Sequence, residues 1–171
     1  MKRQFLSKKD VKSLARQVDE NIKSALDEAE NIEMWEVDDK LTIYILDGKP
    51  LFAKVRVKIS ESEEEKYIPL LTMFYLKKVN YPTVKVDDGA VPHILNGADV
   101  MRPGIKEFIG DFNKGDIVAV QDFKGRTIAV TVALFPKSEI EKMQKGKVLK
   151  NIHYLGDKIS KLCSDIMKQQ R

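Results

Sequence analysis

The residues able to do chemistry are few and poorly spaced for it. The chain has only two histidines, His93 and His153, and one cysteine, Cys163. Neither histidine sits in an HExxH or Cys2His2 spacing, and a lone cysteine can build neither an internal disulfide nor a cysteine-rich zinc site. His93 stands near Asp87 and Asp88, but no serine lies beside it to be activated. Asp87-Asp88 could be read as paired carboxylates for acid–base work. Adjacent residues at a strand end point in different directions, however, and helix capping accounts for one of them. There is no GxxxxGK[ST] and no GxGxxG, so Gly97 and Gly104 do not make a phosphate loop. The residues therefore suggest no catalytic group, no metal and no cofactor. The stretch VDDGAVPHILNGADVMRPGI, residues 86–105, has the punctuation of a segment built to hold backbone in place.

The elements that must position this stretch are legible in outline. Ser7 and Asp10 resemble a capping box, and Val11, Leu14, Ala15, Val18, Ile22, Ala25, Leu26 and Ala29 recur at helical spacing, which predicts one amphipathic helix over 8–30. LTIYIL at 41–46 reads as a strand, and Asp47-Gly48 is a strong hairpin turn. The return strand alternates, with Leu51, Ala53, Val55, Val57 and Ile59 on a buried face and Phe52, Lys54, Arg56 and Lys58 on a solvated one. SESEEE at 60–65 reads as an acidic loop, and Pro69 as the opening of a helix that ends before Tyr81-Pro82.

Residues 82–171 read as mostly β. TVKV (83–86) is a strand, and Asp87 or Asp88 caps a helix through 89–96 that Gly97 stops in the left-handed conformation. A short DVM strand leads to Arg102-Pro103-Gly104, which fits a type II turn. IVAVQD (117–122) and TIAVTVALF (127–135) are strands joined at Lys124-Gly125. Ser138 caps a short helix ended by Gly146, VLKNIHYL (148–155) is the last strand, and a C-terminal helix follows. Short, closely spaced strands predict a small barrel. The chain reads as α+β in three parts: an α+β unit over 1–81, a barrel over 82–157 and a helix over 158–171.

Length and charge set the outer bounds. A chain of 171 residues with 33% charged and 43% hydrophobic residues suits a folded domain or two small ones. No run reaches the roughly 18 apolar residues of a membrane span, and MKRQFLSKKD lacks the apolar core of a secretory signal, so the cytoplasm is the expected compartment. The formal charge is +4, and residues 1–81 carry 15 basic and 15 acidic side chains while 82–171 carry 15 and 11. The excess lies in the second half, which favours an anionic partner there, nucleic acid first. A lysine-rich solvated surface accounts for it equally well.

The pattern V-D-x-G-A, helix, G-A-x-V-M-x-P-G-I, at Val86–Ala90 and Gly97–Ile105, resembles the start of a PUA domain, the small RNA-binding barrel of pseudouridine synthases and archaeosine transglycosylases. GDIVAV (115–120), the strand running to Phe135 and KNIHYL (150–155) agree with it. NIHYL, with the D-G-K-P-L-F hairpin and Y-I-P-L-L before it, makes the whole chain similar to the malignant T-cell-amplified-sequence family and to the N-terminal part of ligatin, in which a pre-PUA domain precedes a PUA pseudo-barrel. The acidic run 60–65 departs from the eukaryotic members and suggests an archaeal relative.

The resemblance implies a non-enzymatic RNA-binding protein of translation, acting on the small ribosomal subunit near the tRNA 3′ end in initiation, re-initiation or recycling. It also implies tRNA or rRNA as ligand and an initiation-factor-like protein as a possible partner. A protein-interaction adaptor and a trans-acting accessory of an RNA-modification enzyme are the alternatives. The RNA surface it implies comprises Gly97, Ala98, Asp99, Met101, Arg102, Pro103 and Gly104, with Lys147, Lys150 and Asn151 from the opposite edge. Gly97 would allow close approach of a ribose or base, exposed backbone groups would read base edges, and Arg102, Lys147 and Lys150 would neutralise phosphates. Core packing remains the alternative for Met101, and turn formation for the two glycines.

Overall fold

Asp47 and Gly48 both adopt positive φ, +49° and +84°, the pairing that a tight hairpin of right-twisted strands requires. This turn organises the first of two units into which the α+β chain divides in the structure, a computed structural model that describes residues 2–169. The first unit comprises β1 (Lys2–Phe5), α1 (Lys8–Ala15), α2 (Glu20–Glu28), β2 (Ile32–Asp38), β3 (Leu41–Leu46), β4 (Lys49–Lys58), β5 (Glu63–Pro69) and α3 (Leu71–Leu76). Its five strands form an antiparallel meander in chain order. β3 is central and buried along its whole length. Tyr44 and Phe52 face each other across β3 and β4 and stack at 4.5 Å, over a core that includes Leu14, Ile22, Leu26, Leu51 and Met73. Asp47 does more than turn the chain. Its carboxylate accepts the amides of Asn31 and Glu30, and those bonds hold its pKa below the usual value.

Four expectations change here. The helix over 8–30 is two helices, because Asp19 caps a new one through the amide of Ile22 at 2.9 Å; Ser7 caps the first through Asp10, as the sequence suggested. The start of β4 is buried on both faces, since Pro50, Leu51, Phe52 and Ala53 lie under neighbouring elements; alternation holds only from Lys54 onward. Glu63, Glu64 and Glu65 belong to strand β5 and not to a loop. They pair in register with Lys58, Val57 and Arg56, so opposite charges meet across the ladder. Pro69 closes that strand, and α3 starts only at Leu71.

The second unit contains β6 (Thr83–Val86), α4 (Val91–Ile94), β7 (Val100–Met101), a 3-10 turn (Arg102–Gly104), β8 (Ile105–Ile109), β9 (Ile117–Gln121), β10 (Thr127–Ala133), α5 (Lys137–Lys142) and β11 (Lys147–Tyr154). The helix α6 (Lys158–Lys168) starts in it, and from Leu162 its residues group with the first unit. The six strands form a curled sheet in the order β7-β11-β10-β9-β6-β8, with β6 and β9 parallel and the rest antiparallel. All seven residues of β10 are buried, and the hydroxyl of Thr131 is satisfied by the carbonyl of Val118 at 2.8 Å. Val84, Val86, Val118, Val120, Ile128 and Leu149 fill the interior. The helix expected over 89–96 shrinks to one turn at Val91–Ile94, and α5 starts after Pro136 with no side-chain cap, so Ser138 does not cap it.

Candidate nucleic-acid interface

The segment 86–105 wraps around a cavity of about 640 Å³. Its first wall is the turn into α4. The carbonyl of Gly104 receives the Asp87 amide at 3.0 Å, and the Asp87 carboxylate receives the Ala90 amide at 2.8 Å. This closure brings Gly104 against Ala90, where an added Cβ would stand 3.1 Å from that of Ala90. A side chain there would require Ala90 to give by a few tenths of an ångström; backbone conformation is not the reason for the glycine, since its φ is not positive and the three residues 102–104 form a 3-10 turn instead of the expected type II turn.

The second wall is the loop after α4. Gly97 has φ +92°, and the ring of Tyr154 lies 3.4 Å from where a Cβ would be. Asn151 on β11 brackets this loop: its side-chain amide donates to the carbonyls of Ile94 (3.1 Å) and Ala98 (3.0 Å), and its backbone amide donates to Asp99 (2.8 Å). Its side-chain oxygen is buried without a partner among the described residues.

The third wall is β7 against β11, where Met101 stands opposite Lys147. Met101 is 49% exposed, so it is not core; it offers an apolar surface at the cavity edge. Asp99, with its side chain only 10% exposed, forms ion pairs with Lys147 at 3.1 Å and Lys150 at 3.7 Å. Two lysines therefore share one nearly buried anion, and the trio presents one net positive charge instead of two.

Arg102 departs most from expectation. It is not a free cation on a turn tip. Its Nε donates to the carbonyl of Ile140 at 2.7 Å, one of its terminal nitrogens donates to Ile105 at 3.2 Å, and its guanidinium lies 5.4 Å from the centre of the Phe108 ring. It binds the buried end of α5 to the start of β8. Of the ten residues expected at the surface, Ala98, Asp99, Met101, Pro103, Gly104 and Lys147 line the cavity, whereas Gly97, Arg102, Lys150 and Asn151 support or flank it. Asp87, Ala90, His93, Ile94 and Val100 also line it. The i, i+3 spacing of Asp87, Ala90 and His93 was the available signal, and reading Asp87 as a cap obscured it.

Among the described residues no group of three or more His, Cys, Asp or Glu side chains is placed to hold a metal, and no helix is long and apolar enough to cross a membrane. His153, at the far end of β11, is buried and meets the Asp157 carboxylate at 2.9 Å; Asp157 in turn accepts the amides of Tyr154 and Ser160 and so anchors the start of α6.

A family model of the PUA domain matches residues 82–155, and one described as a domain of unknown function, DUF1947, matches residues 2–78. An uncharacterized protein of Methanocaldococcus jannaschii is 36% identical over 92% of this chain and 94% of its own length. Translation machinery-associated protein 20 of Saccharomyces cerevisiae is 29% identical over 82% of this chain and 77% of its own, and malignant T-cell-amplified sequence 1-A of Xenopus laevis is 28% identical over 70% and 64%. The chain belongs to the malignant T-cell-amplified-sequence family. As in the resemblance drawn from the sequence, this family member joins a pre-PUA unit to a PUA barrel. A hypothetical protein of Pyrococcus horikoshii of known crystal structure superimposes on it with a TM-score of 0.75, at 33% identity over 95% of this chain and 99% of that one.

Proposed function

We propose that this member of the malignant T-cell-amplified-sequence family is a non-enzymatic RNA-binding protein of translation, whose PUA cavity receives the unstacked 3′ end of an RNA on the small ribosomal subunit, a tRNA first. The observation that carries this reading is the cavity. At about 640 Å³ it falls within the range of roughly 300–1,000 Å³ used for small ligands, so one or two nucleotides fit. Ala90, Ile94, Val100, Met101 and Pro103 give it apolar walls against which a base can lie, and Lys147 stands at its lining to meet a phosphate. Single-stranded ends expose the base edges that such a site reads.

The lining also supports binding over catalysis. It holds no hydroxyl or thiol side chain. Its two carboxylates are engaged, Asp87 by the Ala90 amide and Lys106, Asp99 by Lys147 and the Asn151 amide. A role in translation follows from the family and from the name of the yeast relative, and it implies a cytoplasmic location.

Co-sedimentation with small ribosomal subunits, with and without tRNA and at two salt concentrations, tests the proposal. Met101→Glu places a negative charge at an exposed cavity position and is expected to abolish retention without unfolding the protein. Full retention of Met101→Glu would place the RNA contact elsewhere.

A further inference from the structure

The hairpin between β9 and β10 is more tightly built than a connection needs. Asp122 at its base is only 4% exposed. One oxygen of its carboxylate accepts the amides of Lys124 and Arg126, both at 3.0 Å, and the other accepts Arg126 Nε at 2.8 Å. The backbone closes the same loop, with the Asp122 amide on the Arg126 carbonyl at 3.0 Å and the Gly125 amide on the Asp122 carbonyl at 3.1 Å. Five hydrogen bonds thus converge inside five residues and fix the tip.

The tip presents outward what the fold does not use. Phe123 is 54% exposed, and its ring stacks on no other ring and meets no cation among the described residues. Lys124 beside it is exposed and has no ion-pair partner among those residues. Arg126 spends only Nε on Asp122, and its side chain is 65% exposed, so the end of its guanidinium remains available. None of the tip residues lines the PUA cavity.

We propose that this tip is a second RNA contact, which stacks one unpaired base on Phe123 and meets the flanking phosphates with Lys124 and Arg126. The inference rests on the reading above that this chain works on RNA, and adds a site to it. An aromatic face interleaved with cations is what sequence-tolerant binding of single strands uses, because every base has a π-face and every nucleotide a phosphate. A tip already held by Asp122 loses little freedom on binding. Protein is the less suitable occupant, since a stable protein interface takes roughly 20–30 residues a side, while one nucleotide needs a single ring and one or two cations.

The test is fluorescence anisotropy of a labelled short oligouridylate with the full chain at low salt, alongside subunit co-sedimentation. Phe123→Ala is expected to weaken oligouridylate binding roughly 5- to 150-fold, and Phe123→Tyr to retain it. Lys124→Ala is expected to flatten the salt dependence by about 0.7 in log–log slope. The thermal midpoint of each variant confirms that the fold is intact. Wild-type affinity in a folded Phe123→Ala overturns the proposal. So does an absence of oligouridylate binding in the wild type, and so does loss of subunit retention by Phe123→Ala with oligouridylate binding unchanged, which would assign the tip to a protein. Failure of the cavity reading shows separately, as full subunit retention by Met101→Glu.

Discussion

Arg102 Nε and the carbonyl of Ile140 lie 2.7 Å apart, joining positions 38 residues apart in the chain. Ile140 is fully buried, and its carbonyl accepts two donors, the Met143 amide at 3.0 Å and the arginine. Arg102→Ala is therefore expected to cost about 1.5–3 kcal/mol of stability, the range for a hydrogen bond to a charged group, while the Ile140 carbonyl keeps the amide of Met143. Arg102→Lys is expected to recover only part of this, since an ammonium cannot reproduce the fork to Ile140 and Ile105. Denaturant unfolding of the three proteins checks it. A surface cation would give a change near zero.

Gly97→Val is expected to destabilise by about 1–3 kcal/mol, because a β-branched residue is forced into the left-handed region, and the added carbon meets the Tyr154 ring at 3.4 Å. The same change distorts the loop that Asn151 brackets, so subunit retention should fall with it. Thermal unfolding and co-sedimentation on one preparation read both effects.

Lys147→Ala separates charge from stability. The lysine is 56% exposed and Asp99 keeps Lys150 and the Asn151 amide, so the stability change is expected to stay within about 1 kcal/mol. If Lys147 meets a phosphate, the log–log slope of RNA binding against salt should drop by about 0.7–1. An unchanged slope would remove Lys147 from the RNA contact.

Acid should destabilise the protein through a few specific carboxylates. Burial pushes the Asp122 carboxyl up, but the bonds from the Arg126 amide and guanidinium and from the Lys124 amide outweigh it, and the net shift is downward from 3.8. Asp157 behaves likewise, with burial opposed by His153 and the amides of Ser160 and Tyr154. A carboxyl with a lowered folded pKa contributes stability that is fully present above the unfolded value and lost as pH falls through the folded one. Stability is thus expected to hold above about pH 5 and to decline below about pH 4. Asp122→Asn should be less stable than wild type at neutral pH, with the gap closing as the pH drops below 4. A gap that stays constant with pH would mean that the charge on Asp122 contributes nothing.

Local signals in the chain served well where the backbone itself was the issue. Ser7, Asp47-Gly48 and Gly97 each do what their residue type requires. The reading of one helix over 8–30 failed because Leu14, Ala15, Val18 and Ile22 keep helical spacing in the sequence across the break, and the local sign of the break was Asp19 acting as a cap. The strand at Glu63–Glu65 was hidden because its stabilising partners, Lys58 and Arg56, sit on another strand. The strands β1 and β8 escaped notice for a similar reason: they are edge strands with mostly exposed side chains and carry little hydrophobic alternation.

Sequence alone determined the α+β class, the PUA resemblance, the main turns and the segment around the cavity, because helix caps, hairpin turns and left-handed positions demand particular residues in fixed local order. Only the tertiary structure decided which of those residues face a ligand. Arg102 turned inward to a carbonyl 38 residues away, Asp99 took two lysines from β11, and Met101 stayed exposed at the cavity edge. The direction of a long side chain is set by whichever distant donor or acceptor the fold brings within reach, and neighbouring residues do not encode it.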